Sequence, residues 1–326
     1  MSTGRRGLAA LIMGVAAIAG GSAGAQEAYP VKPIRMLVPF PPGGVIDILA
    51  RLVAPKMSDG LKQSVLIENR PGANGNIATE QVAKSAPDGY TLLFTQVSNL
   101  AVNPAIYPNI PFDPLKDLAA IVLIAATPQV MVVATTSPFK SVADITGAAK
   151  ARPGEVSFAS SGNGSMTHMA IELMQLSSGI KFLHVPYKGA SPAVVDVIGG
   201  RAEVFMAAMP TVMGQVRAGK LRAVAVASAR RIPDLADVPT LSESGFPGFE
   251  SGNWFAIMGR AGTPRPIVDR LNAEANTALQ AQDVKARIAV EGGTPLGGTP
   301  EQLTEQLATD LAKWRRVVKE AGIKLE

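Results

Sequence analysis

The stretch from Val38 to Arg51, VPFPPGGVIDILAR, constrains this chain more than any other. Ile34 to Pro39 is a short apolar run, and beyond the Pro/Gly cluster Val45, Ile48, Leu49 and Leu52 recur at helical spacing. The segment therefore predicts a strand, a tight loop and a helix. Such a loop is a candidate anion cradle: glycines let the backbone approach a ligand, and the first N–H groups of the helix lack intrahelical partners at the positive end of its dipole. It matches neither G-x-x-x-x-G-K-[ST] nor G-x-G-x-x-G, so no nucleotide phosphate is indicated. Taken alone, it fits an ordinary turn between strand and helix somewhat better than a binding loop.

The same rhythm continues. Ser64 to Glu68 predicts a second strand, Asn74 to Ala86 a helix ending at Pro87-Asp88-Gly89, and Thr91 to Thr95 a third strand before the polar loop Gln96-Val97-Ser98-Asn99. Strands alternating with helices across short joints imply parallel pairing, and ligands collect beyond the carboxyl ends of such strands. Leu118 to Ala134 is an apolar, β-branched run interrupted by Thr127-Pro128, read as two buried strands with a domain crossing near the interruption. A second alternating series runs from Ser141 to Ala227, Asn253 to Met258 predicts a strand crossing back, and the remainder reads as helical. Thr263-Pro264 and Thr299-Pro300 each place a capping residue before proline, and Thr299 with Gln302 predicts a capping box.

With no new strand series to cover, the C-terminal helices are expected on the first domain. The fold expected is α/β, with two lobes joined by a hinge. Each lobe has a mixed, mostly parallel sheet flanked by helices, and two strands link the lobes. Domain 1 is discontinuous, 26–126 with 254–326, and domain 2 is 127–253. A cleft between hinged lobes suits a protein that closes on its ligand.

At the N-terminus, Arg5 and Arg6 precede an Ala-rich apolar run from Leu8 to Ala19, and Ala23-Gly24-Ala25 has the small-residue pattern of a cleavage site. Residues 1–25 thus read as a signal peptide cut after Ala25, with a bacterial periplasm as destination. Its removal lowers Lys plus Arg from 31 to 29 against 26 acidic residues, a net charge of +3. That balance mildly favours anionic ligands, and no basic block with interleaved aromatics suggests nucleic acid. The chain has no cysteine, which excludes disulfides and thiolate metal sites.

A second loop, Phe158 to His168, repeats the first design: strand end, glycines, helix N-terminus, now with several hydroxyls. One such loop falls in each lobe. Two helix N-termini facing across a cleft clamp one anion from both sides, or two separate carboxylates, without a buried arginine. Ser165 and His168 lie three apart on one helix face and invite a nucleophile–base reading. Against a hydrolase, there is no G-x-S-x-G elbow, and Ser165 is better explained as an N-cap. His168 and His184 are the only histidines, no H-E-x-x-H occurs, and no cofactor fingerprint is found, so neither enzyme, metal nor cofactor is expected. A ligand sensor feeding a kinase would use the same cleft and stays open.

The chain resembles the Bug (Bordetella uptake gene) or TctC family of tripartite tricarboxylate transporter solute-binding proteins. The resemblance rests on Val38 to Arg51, Asn69 to Gly75, Ala86 to Thr91, Ser160 to Ser165 with His168, His184 to Gly189, Ala218 to Arg222, Asp237 to Thr240 and Gly262 to Pro264, in order over nearly the whole mature chain. It implies a protein with a two-lobed periplasmic binding protein fold of type II-like form that captures a small carboxylate, aromatic or aliphatic, and presents it to the membrane subunits of a tripartite transporter; a monomer is expected, although no residue pattern fixes the oligomeric state. By matched motif, one carboxylate is held by Phe40, Pro41, Pro42, Gly43 and Gly44, partly through water, and by Ser160, Ser161, Gly162, Asn163, Gly164 and Ser165, with His168 closing the motif.

The distal end of the ligand then meets Ser98, Asn99, Tyr187, Lys188, Gly189, Ala207 to Met209 and Trp254. Asp47, a turn into the first helix, could face a cationic group but is read chiefly as complementing the helix dipole. Many relatives carry aspartate where this chain has Ala207, so an amino-acid ligand is disfavoured. An apolar or aromatic carboxylate beside Met206, Met209 and Trp254 is expected first, and a plain aliphatic dicarboxylate next.

Overall fold

The structure, a computed structural model, describes residues 29–107 and 109–323; the expected leader, residues 1–25, lies outside them. The first series comprises β1 (Ile34–Val38), α1 (Val45–Leu61), β2 (Val65–Asn69), α2 (Asn76–Ala83), β3 (Thr91–Gln96) and the short α3 (Asn103–Ile106). A long strand, β4 (Leu118–Ala134), leads into α4 (Val142–Ala151), β5 (Ser157–Ser160), α5 (Met166–Ser178), β6 (Leu183–Pro186), α6 (Ala190–Ile198), β7 (Val204–Ala208), α7 (Met209–Arg217) and β8 (Leu221–Val226). The chain returns through β9 (Gly252–Arg260) and ends in α8 (Arg265–Gln280), α9 (Gln282–Val290), β10 (Thr294–Gly297) and α10 (Pro300–Ala321).

Two lobes share β4. In the first the order is β2-β1-β3-β9-β4-β10, with β1 parallel to β2 and β3 and with β9 antiparallel to its neighbours. In the second it is β6-β5-β7-β4-β8, with β5 parallel to β6 and β7. Residues 118–134 thus form one strand, where the sequence suggested two. The interruption is nevertheless real: β4 pairs with β9 as far as Pro128↔Gly252, and from Gln129↔Ala208 it pairs with β7. Proline brings no N–H to a ladder, so Thr127-Pro128 is where β4 exchanges one lobe's partners for the other's without breaking.

The central strands read as unbroken apolar runs because helices cover both faces. Ile34, Met36 and Val38 of β1 pack with Leu49, Val53 and Met57 of α1, while Leu37 faces the opposite layer with Val82 of α2 and Leu307 of α10. Helix α8 lies on α1 and β4, as expected of the first lobe. Helix α10 buries Leu303, Leu307, Leu311, Trp314 and Val318, a stripe at helical spacing. It packs on β4 and also on α5 of the second lobe, so it straddles the junction. Thr299 and Gln302 form the expected capping box. Thr263 does not cap: Pro264 occupies the cap position and the Thr263 hydroxyl donates to Arg260 O at 2.6 Å. Strand β10, inside the expected helical tail, is short and needs the edge of β4 to exist.

Candidate functional site

Both glycine loops reach one interlobe cleft in two adjoining compartments of about 410 and 370 Å3, which share Phe40, Gln96, Ala208 and Asn253. Into the smaller opens the N-terminus of α1, through Pro41, Pro42, Gly44, Val45 and Ile46. Into the larger opens that of α5, through Ser161, Asn163, Gly164, Ser165, Met166 and Thr167. Val45, Ile46, Met166 and Thr167 are first-turn residues, whose N–H groups have no preceding helical carbonyl. Their dipoles favour negative charge at this spot.

The first loop is held from behind by Asp47, which is 3% exposed. Its carboxylate accepts from Gly43 N (3.0 Å), Asn69 Nδ2 (2.8 Å) and Arg51 Nε (3.0 Å), and Asn69 Nδ2 also donates to Phe40 O at 3.0 Å. Burial pushes this carboxyl up, but the Arg51, Gly43 and Asn69 hydrogen bonds outweigh it and hold Asp47 below the usual range. Asp47 therefore fixes the loop and lines neither compartment. Gly43 has φ +91°, a conformation that favours glycine.

The second loop is built likewise. Ser165 caps α5, accepting from His168 N at 3.2 Å and donating to Gly162 O at 2.7 Å, and Ser161 N donates to Thr167 Oγ1 at 2.8 Å. Behind it His168 and His184 stack with centroids 4.0 Å apart. Gly164 N donates to His168 Nδ1 at 3.1 Å. An N–H can only donate, so the His168 ring proton sits on Nε2, 3.4 Å from Glu172 Oε1. Buried Ser160 contacts His184 Nε2 through its hydroxyl at 2.7 Å. Burial, then the neighbouring His168, lowers the His184 pKa from 6.5 to about 4. Burial raises Glu172, but its bonds to His168 and Gln175 prevail and leave it lowered. The His168 ring thus serves the loop backbone, and Ser165 Oγ does not meet it as a nucleophile would.

Other expected residues also lie behind the surface. Asn99, fully buried, donates to Asn74 O at 2.7 Å, while Ser98 lines the cleft and accepts from Gln96 Nε2 at 2.9 Å. Tyr187 donates to Asp196 at 2.9 Å, and Tyr187 N and Gly189 N donate to Ser160 O and Ser161 O, so the turn with Lys188 buttresses the second loop. Gly162, at φ +126°, has no room for a side chain, since a Cβ would stand 3.0 Å from Tyr187 O. Ala207, Met206 and Met209 belong to the core, and Ala208 is the β7 residue at the cleft. Trp254 points away from the cleft and donates to Asp310 Oδ2 at 2.7 Å. The apolar seat expected from Met206, Met209 and Trp254 is therefore absent from the cleft lining: strand alternation turns Trp254 rearward between Asn253 and Phe255, Met206 is fully buried further back along β7, and Met209 is buried in the first turn of α7.

In its place stands a wall of amides and hydroxyls, Asn74, Gln96, Asn103, Tyr107, Gln129 and Asn253; the sequence points to Gln96, in the polar loop beyond the third strand, and to none of the others as a ligand contact. Asn74 and Asn103 hold each other at 2.8 Å, and Gln129 accepts from Ser251 Oγ at 3.0 Å. Among the described residues lining both compartments, none is Lys, Arg, Asp or Glu. Negative charge meets only neutral donors and helix ends here, and an ammonium group meets no counterion.

Two lobes on two linking strands, with both glycine loops opening into the cleft, define the class: a two-lobed solute-binding protein of the periplasmic type. A family model described as "Tripartite tricarboxylate transporter family receptor" matches residues 49–323, and the chain belongs to that family. It is 42% identical over 301 residues to Protein BugT of Bordetella pertussis, covering 92% of each chain. Among solved structures it is similar to an R. palustris protein with adipate (35% identity, 91% of this chain and 99% of that one, TM-score 0.76). It is also similar to MatC from Rhodopseudomonas palustris with bound malate (30% identity, 89% and 100%, TM-score 0.73). Family and neighbours are solute-binding proteins, and no helix among the described residues is long and apolar enough to cross a membrane.

Proposed function

We propose that the chain captures a small aliphatic dicarboxylate in the periplasm and delivers it to a tripartite tricarboxylate-type transporter. The observation that carries this reading is the cleft itself: two helix N-termini, one from each lobe, open into a space lined by neutral donors without a charged side chain. One carboxylate settles between the Phe40–Gly44 and Ser161–Ser165 loops as the lobes close. The other end meets Gln96, Gln129 and Asn253, whose amide N–H groups suit a second carboxylate or a hydroxyl; Asn103 donates both of its own to Asn74 O and Asn76 Oδ1. Adipate and malate, the ligands of two structural neighbours, both have this form. The lobes are 26–126 with 254–326, and 127–253, rotating about Thr127–Gln129 and Ser251–Asn253.

Calorimetric titration of the mature protein, residues 26–326, against malate, succinate, adipate, benzoate and aspartate tests the reading. Dicarboxylates are expected to bind and be recovered unchanged, with aspartate weaker than malate by about ten-fold or more, as one unpaired buried charge costs well over 1.4 kcal/mol. Tighter binding of aspartate or benzoate, or consumption of the ligand, overturns it. Loss of dicarboxylate uptake in a deletion strain tests the transport step.

A further inference from the structure

Among the amides of the cleft wall, Gln129 differs from the rest in how it is held. Asn103 donates both of its N–H groups to neighbours, and Asn74 is engaged with it. Gln96 Nε2 donates to Ser98 Oγ at 2.9 Å, but Ser98 borders the cleft and its hydroxyl can turn, so this amide can lie either way round. Asn253 Oδ1 is buried with no donor on it, so nothing fixes the sense of that amide either. Gln129 stands on the outgoing linker, where β4 begins to pair with the second lobe (Gln129↔Ala208), and is 2% exposed. Its main chain is pinned, with Ala227 N donating to Gln129 O and Ser251 N donating to Ala227 O, both at 2.8 Å. Its Oε1 accepts from Ser251 Oγ at 3.0 Å.

Ser251 is itself buried, and among the described residues its hydroxyl has no other acceptor. Turning the Gln129 amide over would leave that buried O–H without a partner, so the fold holds the amide in one sense. Gln129 Nε2 donates to no acceptor among the described residues, and it is not one of the buried polar atoms left without a partner. Its surface therefore opens into the larger compartment, which Gln129 lines. We propose that Gln129 is the specificity-determining residue for the far end of the ligand: with Ser251 holding its oxygen inward, it offers that end N–H groups only, and so selects a second carboxylate over the corresponding primary amide. This deepens the proposed capture of a dicarboxylate and rests on it. A carboxylate brings acceptors alone and a charge that strengthens the bond, whereas an amide brings two N–H groups that find no acceptor on Gln129. Ser251 is a positioning residue, acting through the Gln129 amide.

Succinate or adipate, whichever binds the mature protein more tightly, is titrated calorimetrically beside its own monoamide, which differs at one end only. The parent should prefer the dicarboxylate by about five-fold or more, the step from a neutral to a charged partner at one hydrogen bond. Gln129→Met keeps the volume and removes the N–H groups, so the preference should shrink by about that factor. Ser251→Ala frees the amide to turn, so the dicarboxylate should weaken while the monoamide tightens. Each variant is judged by the ratio of the two Kd values, which a general loosening of the cleft does not shift. Equal binding of the two ligands by the parent, or the parent ratio in either variant, overturns the proposal and leaves dicarboxylate capture standing. If malate, succinate and adipate all fail to bind the parent, dicarboxylate capture falls and this proposal with it.

Discussion

Single residues here divide between those that meet a ligand and those that hold the backbone that does, and the second group carries the ionisable chemistry. Asp47 is the clearest case. Asp47→Ala leaves Gly43 N, Asn69 and Arg51 without their acceptor; because Arg51 is half exposed, the expected loss is about 1–3 kcal/mol rather than that of a fully buried pair. Urea unfolding measures it, and calorimetry should show weakened dicarboxylate binding in the folded variant. A variant as stable as the parent would remove Asp47 from the loop's support. Acid acts on the other loop through His184. Its folded pKa, about 4, lies below the unfolded value of 6.5, so between them the unfolded chain binds the extra proton. Stability is therefore full above about pH 6.5 and falls as pH drops toward 4. Glu172, also lowered, loses its contribution in the same direction below its usual range. Thermal melts at pH 7.5 and 5 should show Tm falling on acidification, and His184→Phe should flatten that fall between pH 6.5 and 4; an unchanged slope would deny His184 the role.

At the level of elements, two strand–loop–helix units do most of the positioning, and they were also the most legible parts of the sequence. Apolar runs, glycines and helical spacing are local signals, so β1-α1 and β5-α5 could be found without the fold. Strand facing is not local. Asn253 and Phe255 line the cleft while Trp254 between them turns rearward, and nothing in the tripeptide tells which face will be which. Apart from Gln96, in the loop beyond β3, the amide wall was illegible for a related reason: Asn74, Gln129 and Asn253 come from separate segments and meet Gln96 only once β3, β4 and β9 pair. Gly44 offers a test confined to one element. It caps α1 with φ −79° and open space around an added Cβ, so Gly44→Leu should cost at most about 1 kcal/mol, the range of cap exchanges. The leucine would nonetheless stand at the helix terminus that faces the cleft. Binding should be lost with Tm nearly unchanged, and retained affinity would remove the α1 terminus from the site.

Across the whole molecule, the junction matters more than either lobe. Thr127 and Pro128 pair with Asn253 and Gly252, and a Cβ at Gly252 would stand 2.8 Å from Thr127 O, so the two linkers are pressed together with no side chain between them. Rotation about such a pair must open one side of the strands as it closes the other. The front cleft and a cavity under α10, which Trp254 and Trp314 line, lie on those two sides, and α10 is tied to the return linker by Lys313 Nζ donating to Glu250 O at 3.3 Å. Ligand in front should therefore reshape the rear cavity. Malate is expected to change the fluorescence of Trp254 and Trp314 although neither lines the cleft, and Gly44→Leu should abolish the change. Malate binding with silent tryptophans would mean that the lobes do not rotate about these linkers.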